Sequence, residues 1–208
     1  MRIVYSDPCI VVVEKPGGLL SVPGRGPNKQ ECVAARIQQI FPECIKQPSV
    51  HRLDMDTSGI MVLALTSTAH KHLSQQFMAR TIVKKYVALV DGIIAAEGGK
   101  IELSFRLDPH NRPYQIYDPV LGKSGVTYWR KLANQGARTR IEFTPITGRT
   151  HQLRLHASHK DGLGAAISGD RLYGSGKTGE QMMLHASYLS FSNPADGRPM
   201  EFESSPLF

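Results

Sequence analysis

Several things are scarce in this 208-residue sequence. There are three cysteines, Cys9, Cys32 and Cys44, an odd number with no Cys-x-x-Cys pair among them. That argues against a disulfide framework and a paired-cysteine zinc site, and fits a reducing compartment. The longest apolar runs are about six residues, far short of the ~20 that span a bilayer. The N-terminal stretch MRIVYSDPCIVVVEK is broken by Asp7 and Pro8, so it does not read as a signal peptide. No Gly-x-x-x-x-Gly-Lys-Ser/Thr or Gly-x-Gly-x-x-Gly lies between a strand and a helix, although Gly162 to Gly179 is glycine-rich. A Gly-x-Ser-x-Gly elbow is also missing. His151, His156 and His159 lie close to Asp161, but their spacing is not that of a metal motif, so no metal site is assigned. His70 and His72 read as surface residues of an amphipathic helix. These absences leave a soluble, cytoplasmic protein without a nucleotide cofactor.

What is present is positive charge. Twenty-five basic residues against 18 acidic give a formal charge of +7, which favours a polyanionic partner. Cys9 to Val13 is a β-branched run and reads as a strand, ended by Lys15-Pro16-Gly17-Gly18. Gln30 to Phe41 has helical character and stops at Pro42. Ile60 to Leu65 reads as a strand. Thr66, Ser67 or Thr68 then caps a helix with Ala69, Leu73 and Phe77 on one face. Val83 to Val90 reads as a half-buried strand, and Leu107 to Ser124 as loop or ribbon. Val126 to Leu132 and Thr139 to Phe143 form a hairpin around Asn134-Gln135-Gly136. A short helix over His151 to Ser158, capped by Thr147 or Thr150, and a strand over Met182 to Phe191 complete the chain. Strands and helices mix without a βαβ repeat, so the fold class is α+β with a mixed, largely antiparallel sheet. Residues 1–208 are expected to form one domain.

Two clusters carry chemistry. In HRLDMDTSG, His51 to Gly59, the charged Arg52, Asp54 and Asp56 stand before a core strand. One carboxylate there could serve as nucleophile or base. On spacing alone, an Asx or Ser/Thr turn satisfying backbone groups outweighs that reading. In GRTHQLRLH, Gly148 to His156, the side chains of Arg149, His151 and Arg154 could form an anion site. Taken alone, a solvated basic helix outweighs it. Lys84-Lys85-Tyr86 is a basic strand with an aromatic, suited to a nucleic-acid contact but more commonly a strand with one wet face.

Taken in order, these segments resemble the RluA family of RNA pseudouridine synthases. The resemblance spans nearly the whole chain. Glu14-Lys15-Pro16-Gly17-Gly18-Leu19 is similar to the family's N-terminal Lys-Pro-x-Gly segment, and HRLDMDTSG to its catalytic motif. Lys84 to Ala88 matches the segment with the active-site tyrosine, and GRTHQLRLH the one with a buried arginine. Gly169 to Gly174 and Leu184-His185-Ala186 match C-terminal markers. The chain looks most like the short RluA-type members that act on tRNA anticodon stem-loops, 23S rRNA, or both. It departs from the pattern at Asp161 to Ile167, where the loop is longer, and at Arg112 to Ile116, which is less basic.

The resemblance implies a pseudouridine synthase fold with flanking helices, a central active-site cleft and no separate N-terminal RNA-binding domain. It implies uridine isomerisation after base flipping, with no redox cofactor, metal or ATP, in a monomer that binds RNA and no membrane. Asp54 is the implied catalytic carboxylate, Tyr86 stacks on uracil or relays a proton, and Arg154 is the partner of Asp54. Arg52, His51, Arg149, Lys85 and Arg25 are the implied RNA contacts, with Arg52 entering the space the base vacates. Leu155 and Ile146 are expected to form an apolar wall, and Asp56 to serve the turn. For Asp54 three roles stay open: attack on the ribose, attack on the uracil ring, or assistance to departure through an oxocarbenium-like or glycal intermediate. Two other functional classes fit the residues less well. A non-catalytic RNA-binding module would not require Asp54, Tyr86 and Arg154 together. A glycoside hydrolase using Asp54 and Asp56 is disfavoured, because residues two apart in a turn do not flank one bond from opposite sides.

Overall fold

A computed structural model describes residues 1–208. Its strands are β1 (Arg2–Ser6), β2 (Ile10–Lys15), β3 (Ser58–Ala64), β4 (Val83–Asp91), β5 (Gly98–Leu107), β6 (Gln115–Tyr117), β7 (Lys123–Gln135), β8 (Arg138–Pro145), β9 (Leu184–Ser192) and β10 (Pro199–Glu203). Its helices are α1 (Val33–Ile40), α2 (Ser67–Ala79) and α3 (Gln152–Ser158), with a single 3-10 turn at Pro27–Lys29. The fold is therefore α+β. The chain divides into two compact units, Met1–Lys84 with His185–Leu207 and Lys85–Leu184 with Phe208. Within each unit the strands pair antiparallel, except that β3 and β9 meet in parallel over two residues. No helix is long and apolar enough to cross a membrane.

In the first unit the strands run β1-β2-β3-β9, with β10 on β9. β2 and β3 pair antiparallel from Ile10 opposite Ala64 to Lys15 opposite Gly59. Both are buried on both faces, which is why each reads as a continuous apolar run and not as an alternating one. Thr66 accepts a hydrogen bond from the Ala69 amide and so starts α2. Ala69 and Leu73 then pack with Ile10, Val12, Ile60, Val62, Leu189 and Phe191, and Phe77 lies against that cluster. Each fully buried aliphatic there contributes roughly 1.5–3 kcal/mol. Arg80 closes α2 in the left-handed region at φ 59°.

β3 begins at Ser58, earlier than its apolar run suggests, because two residues pair in parallel with β9: Ser58 with His185 and Gly59 with Ala186. Gly59 has φ +113°, and a Cβ there would stand 2.3 Å from the Ala186 carbonyl oxygen. Only glycine permits that approach.

In the second unit the order is β4-β8-β7-β5-β6, antiparallel throughout. The hairpin between β7 and β8 is longer than expected. It closes at Gly136-Ala137, since Gly136 at φ 60° allows a two-residue turn. β5, β6, β1 and β10 carried no clear sequence signal.

Helix α3 corrects two expectations. Neither threonine caps it: the N-cap is His151, in the left-handed region at φ 56°. Nor is it a solvated basic helix, because Gln152 through Ala157 are all buried. Leu153 and Ala157 pack on Ala88, Val90, Ile141 and Phe143, while Leu155 packs on Ile101, Leu103 and Phe105. Leu155 is thus a core residue of this unit, and Ile146 is exposed.

Candidate active site

The turn that carries Asp54 is pinned by its backbone. The Ser21 hydroxyl donates to the Leu53 carbonyl at 2.7 Å and accepts from the Leu53 amide at 3.0 Å. The Gly18 amide donates to the Met55 carbonyl at 2.9 Å, and the Thr57 amide to the Asp54 carbonyl at 3.1 Å. The bland reading of this stretch as a turn is therefore correct as geometry. It describes how the carboxylate is held.

Lys15 is the largest addition the structure makes to the site. Its side chain is 0 % exposed. Its Nζ donates to three carbonyls, Pro16 at 3.0 Å, Leu19 at 2.7 Å and Met55 at 2.9 Å, which uses all three ammonium protons. Burial lowers its pKa to about 8, and the Asp54 and Asp56 carboxylates oppose that shift. The Lys-Pro-Gly-Gly segment is thus an electropositive clamp under the Asp54 turn. A lysine at the end of the strand, one residue past four buried aliphatic positions and just before Pro16-Gly17-Gly18, was the available sequence signal.

His51 completes the ladder of β3. Its Nε2 accepts from the Val62 amide at 3.1 Å, while Ser49 bridges to Leu63 and the Pro48 carbonyl accepts from the Ala64 amide. The ring stacks on Phe77, with centroids 4.7 Å apart. An imidazolium could not accept from Val62. Desolvation, helped by the nearby Lys84 ammonium, keeps the ring neutral by lowering its pKa to about 3. Next to it, Arg52 is exposed, as is Arg25.

In the second unit Arg154 is bound on two sides. Its Nε and one terminal nitrogen donate to the two oxygens of Asp170 at 2.7 and 2.6 Å. The side chains are 3 % and 0 % exposed. Asp170 also accepts from the amides of Leu172 and Tyr173. Although burial opposes it, these hydrogen bonds and the Arg154 charge hold the Asp170 carboxyl below its usual range. The Tyr173 ring lies over the guanidinium, 5.2 Å from centroid to Cζ. The Tyr173 hydroxyl accepts from the Gln115 amide and meets His151 Nδ1, both at 2.8 Å. Asp170 and Tyr173 fall in Gly169 to Gly174, a segment whose tasks become clear only when the loop is seen folded onto α3.

Gln152 anchors the start of α3 with all four of its hydrogen-bonding positions. Its oxygen accepts from the Thr147 hydroxyl at 2.7 Å and the Arg149 amide at 3.0 Å. Its nitrogen donates to the Val126 carbonyl and the Thr127 hydroxyl, both at 3.0 Å. Thr147 is therefore spent on Gln152 and on the Val126 amide, which is why it does not cap the helix. Arg149 is exposed, with Nε bonded to the Ser124 carbonyl at 3.2 Å. Tyr86 and Lys85 are half-buried on β4, and Tyr86 packs against the core that includes Ala88 and Phe143.

The first unit thus holds a rigid carboxylate turn over a buried cation. The second holds an arginine fixed by a carboxylate and a ring, beside a strand with a tyrosine. Comparison with known proteins identifies the family. The family profile described as RNA pseudouridylate synthase matches residues 9–159. The chain is 41% identical over 212 residues to a Yersinia pestis protein named dual-specificity RNA pseudouridine synthase RluA, covering 100% of both. It is 41% identical over 210 residues to the Escherichia coli K12 protein of that name, covering 99% of this chain and 93% of the other. Among solved structures it is similar to human RNA pseudouridylate synthase domain containing 1, with TM-score 0.76 and 28% identity over 98% of this chain and 82% of that one.

Proposed function

The chain belongs to the RNA pseudouridylate synthase family, and from that premise we propose that it isomerises particular uridines of structured RNA in a reaction centred on Asp54. The observation that carries this reading is the clamped Asp54 turn, where Ser21 holds the Leu53 amide and carbonyl while Gly18 and Lys15 both donate to the Met55 carbonyl. A turn needed only to reverse the chain would not require a buried ammonium beneath it. Such rigidity suits a carboxylate that must meet one carbon of a flipped nucleotide.

The chemistry is an exchange of bonds. The N1–C1′ bond of uridine breaks, the base rotates, and a C5–C1′ bond forms. The C5 hydrogen leaves to solvent and N1 regains a proton. No electrons are exchanged with a partner. Asp54 acts at the sugar or the ring in one of the three ways named above. Tyr86 stacks on the base or relays a proton. Arg154 is fixed through one edge of its fork on Asp170, which keeps a permanent positive charge buried beside the tyrosine strand. Motif residues fall in both compact units, so we assign the whole chain one catalytic task.

The substrates proposed are tRNA anticodon stem-loops, 23S rRNA, or both, met in the cytoplasm by a monomer. Extruding a base costs a few kcal/mol, less from a loop than from a duplex. Arg52 fills the vacated place, and Arg25, Lys85 and Arg149 contact phosphates. His51 contributes to RNA binding by fixing the backbone from which Arg52 projects.

The test is release of tritium from RNA labelled at uridine C5. Wild type should release it. Asp54→Asn should release none, while its unfolding midpoint and RNA affinity stay close to wild type. Full release by the variant would remove Asp54 from the mechanism.

A further inference from the structure

A second group of side chains lies at the other end of the Asp54 turn. Ser58, where the chain leaves the turn to enter β3, meets His185 Nδ1 at 2.9 Å. His185 Nε2 meets the Ser204 hydroxyl at 3.0 Å, and the Ser204 backbone also hydrogen-bonds the ring. The Ser204 hydroxyl donates to Glu14 Oε1. Glu14 Oε2 accepts from Arg2 at 2.7 and 2.9 Å. The imidazole is 4 % exposed. Five separate parts of the chain meet here: β1, β2, the start of β3, the start of β9 and the residue after β10.

The protons along this chain have one consistent arrangement. Glu14 is held below the usual carboxyl range, first by the Ser204 hydroxyl and also by Arg2, so it is an ionised acceptor. Ser204 has one hydroxyl proton, and Glu14 takes it. Ser204 can therefore only accept from His185, which places the ring proton on Nε2. Burial holds the imidazole pKa below its ordinary value, against the pull of Glu14, so the ring is neutral. Its Nδ1 is then a lone pair, and Ser58 must be the donor to it. Every donor in the sequence Ser58, His185, Ser204, Glu14 points the same way, away from the turn.

We infer that His185, acting through Ser58, is a positioning residue for the Asp54 turn, and this rests on the function proposed above. The turn is clamped on its entry side by Ser21 and Lys15. The relay clamps its exit, four residues beyond Asp54. Register supports this: Ser58 is one of only two β3 residues paired with β9, and His185 is its partner. The relay also fixes the chemical character of Ser58. Its proton is committed to Nδ1, so in its bond to the ring Ser58 is the donor. An alanine, or a ring with the opposite tautomer, would lose both effects.

The experiment compares wild type, Ser58→Ala, His185→Ala and His185→Gln by tritium release from in vitro-transcribed tRNA and 23S rRNA labelled at uridine C5, with thermal unfolding of each. Glutamine can accept from Ser58 with its oxygen and donate to Ser204 with its nitrogen, which reproduces the polarity without a titrating group. His185→Ala should lower kcat roughly ten- to a hundredfold, the scale expected of a small misplacement of a reacting group. KM should stay within about twofold, because binding is not what is lost. Ser58→Ala should follow His185→Ala, and His185→Gln should recover most of the lost kcat. In wild type, nitrogen NMR of the His185 ring should show Nε2 protonated and Nδ1 bare at neutral pH. Four results would overturn the inference: an unchanged kcat in His185→Ala, a loss confined to KM, a glutamine variant as slow as alanine despite a wild-type unfolding midpoint, or a ring protonated on Nδ1. If wild type releases no tritium from either RNA, the proposed function fails instead, and the NMR pattern still decides the polarity of the relay.

Discussion

Lys15 and His51 show how single residues serve a site without touching what it acts on. Lys15 donates to three carbonyls; that of Met55 also accepts from the Gly18 amide, while that of buried Leu19 depends on the ammonium. Replacing it with methionine keeps the volume and removes every donor. An orphaned buried carbonyl costs roughly 1–3 kcal/mol, so Lys15→Met should lose about that much stability in urea unfolding. Activity should fall with it, and an unchanged midpoint would mean the carbonyls find other donors. His51 gives a pH signature. Its pKa is about 3 in the folded chain, against an ordinary value of 6.5. Between these values the unfolded chain binds the proton more readily. The stability from a neutral His51 is therefore complete above pH 6.5 and is lost as pH falls toward 3, with a limiting slope of ~1.4 kcal/mol per pH unit. His51→Gln can still accept from Val62, so it should flatten that slope. Parallel curves for the two proteins would assign the acid sensitivity to other groups.

At the scale of elements, the junction of β3 and β9 decides whether the turn can exist. A Cβ at residue 59 would overlap the Ala186 backbone at 2.3 to 2.8 Å, and φ is +113°. Gly59→Ala should cost about 3 kcal/mol or more, with loss of soluble protein at 37 °C, because backbone on both sides must shift. Near-wild-type unfolding would show that the strands separate easily. The same junction shows what the sequence could reveal. Strands β2 and β3 were legible because both faces are buried, and α2 because Thr66, Ala69, Leu73 and Phe77 obey a four-residue spacing. The start of β3 was missed because Ser58 and Gly59 read as turn residues, and pairing with β9 overrides that local preference. Helix α3, taken on its own residues, reads as solvated. Arg149, Arg154 and two histidines look like a wet face when the carboxylate of Asp170, the ring of Tyr173 and the amide of Gln152 are not yet in view. The catalytic candidates were found from motifs, not from spacing. Lys15, Asp170 and His185 received no individual task, since each acts through residues distant in sequence.

For the whole molecule, the positive balance is the property most open to a bulk measurement. The formal charge is +7, and Arg25, Arg52 and Arg149 are exposed. Binding to tRNA should weaken linearly on a log–log plot against salt. Removing one phosphate-contacting arginine, as in Arg149→Ala, should reduce that slope by about 0.7–0.9. An affinity that does not change with salt would argue against RNA as the partner. Asp54→Asn should leave the slope unchanged, because a reacting carboxylate is not a phosphate contact. The most direct measurement is a map of pseudouridines in tRNA and rRNA from cells lacking this gene, complemented with wild type or with Asp54→Asn. The account predicts that one or more sites become uridine on deletion, return with wild type, and stay uridine with the variant. No lost site, or full restoration by Asp54→Asn, would contradict it.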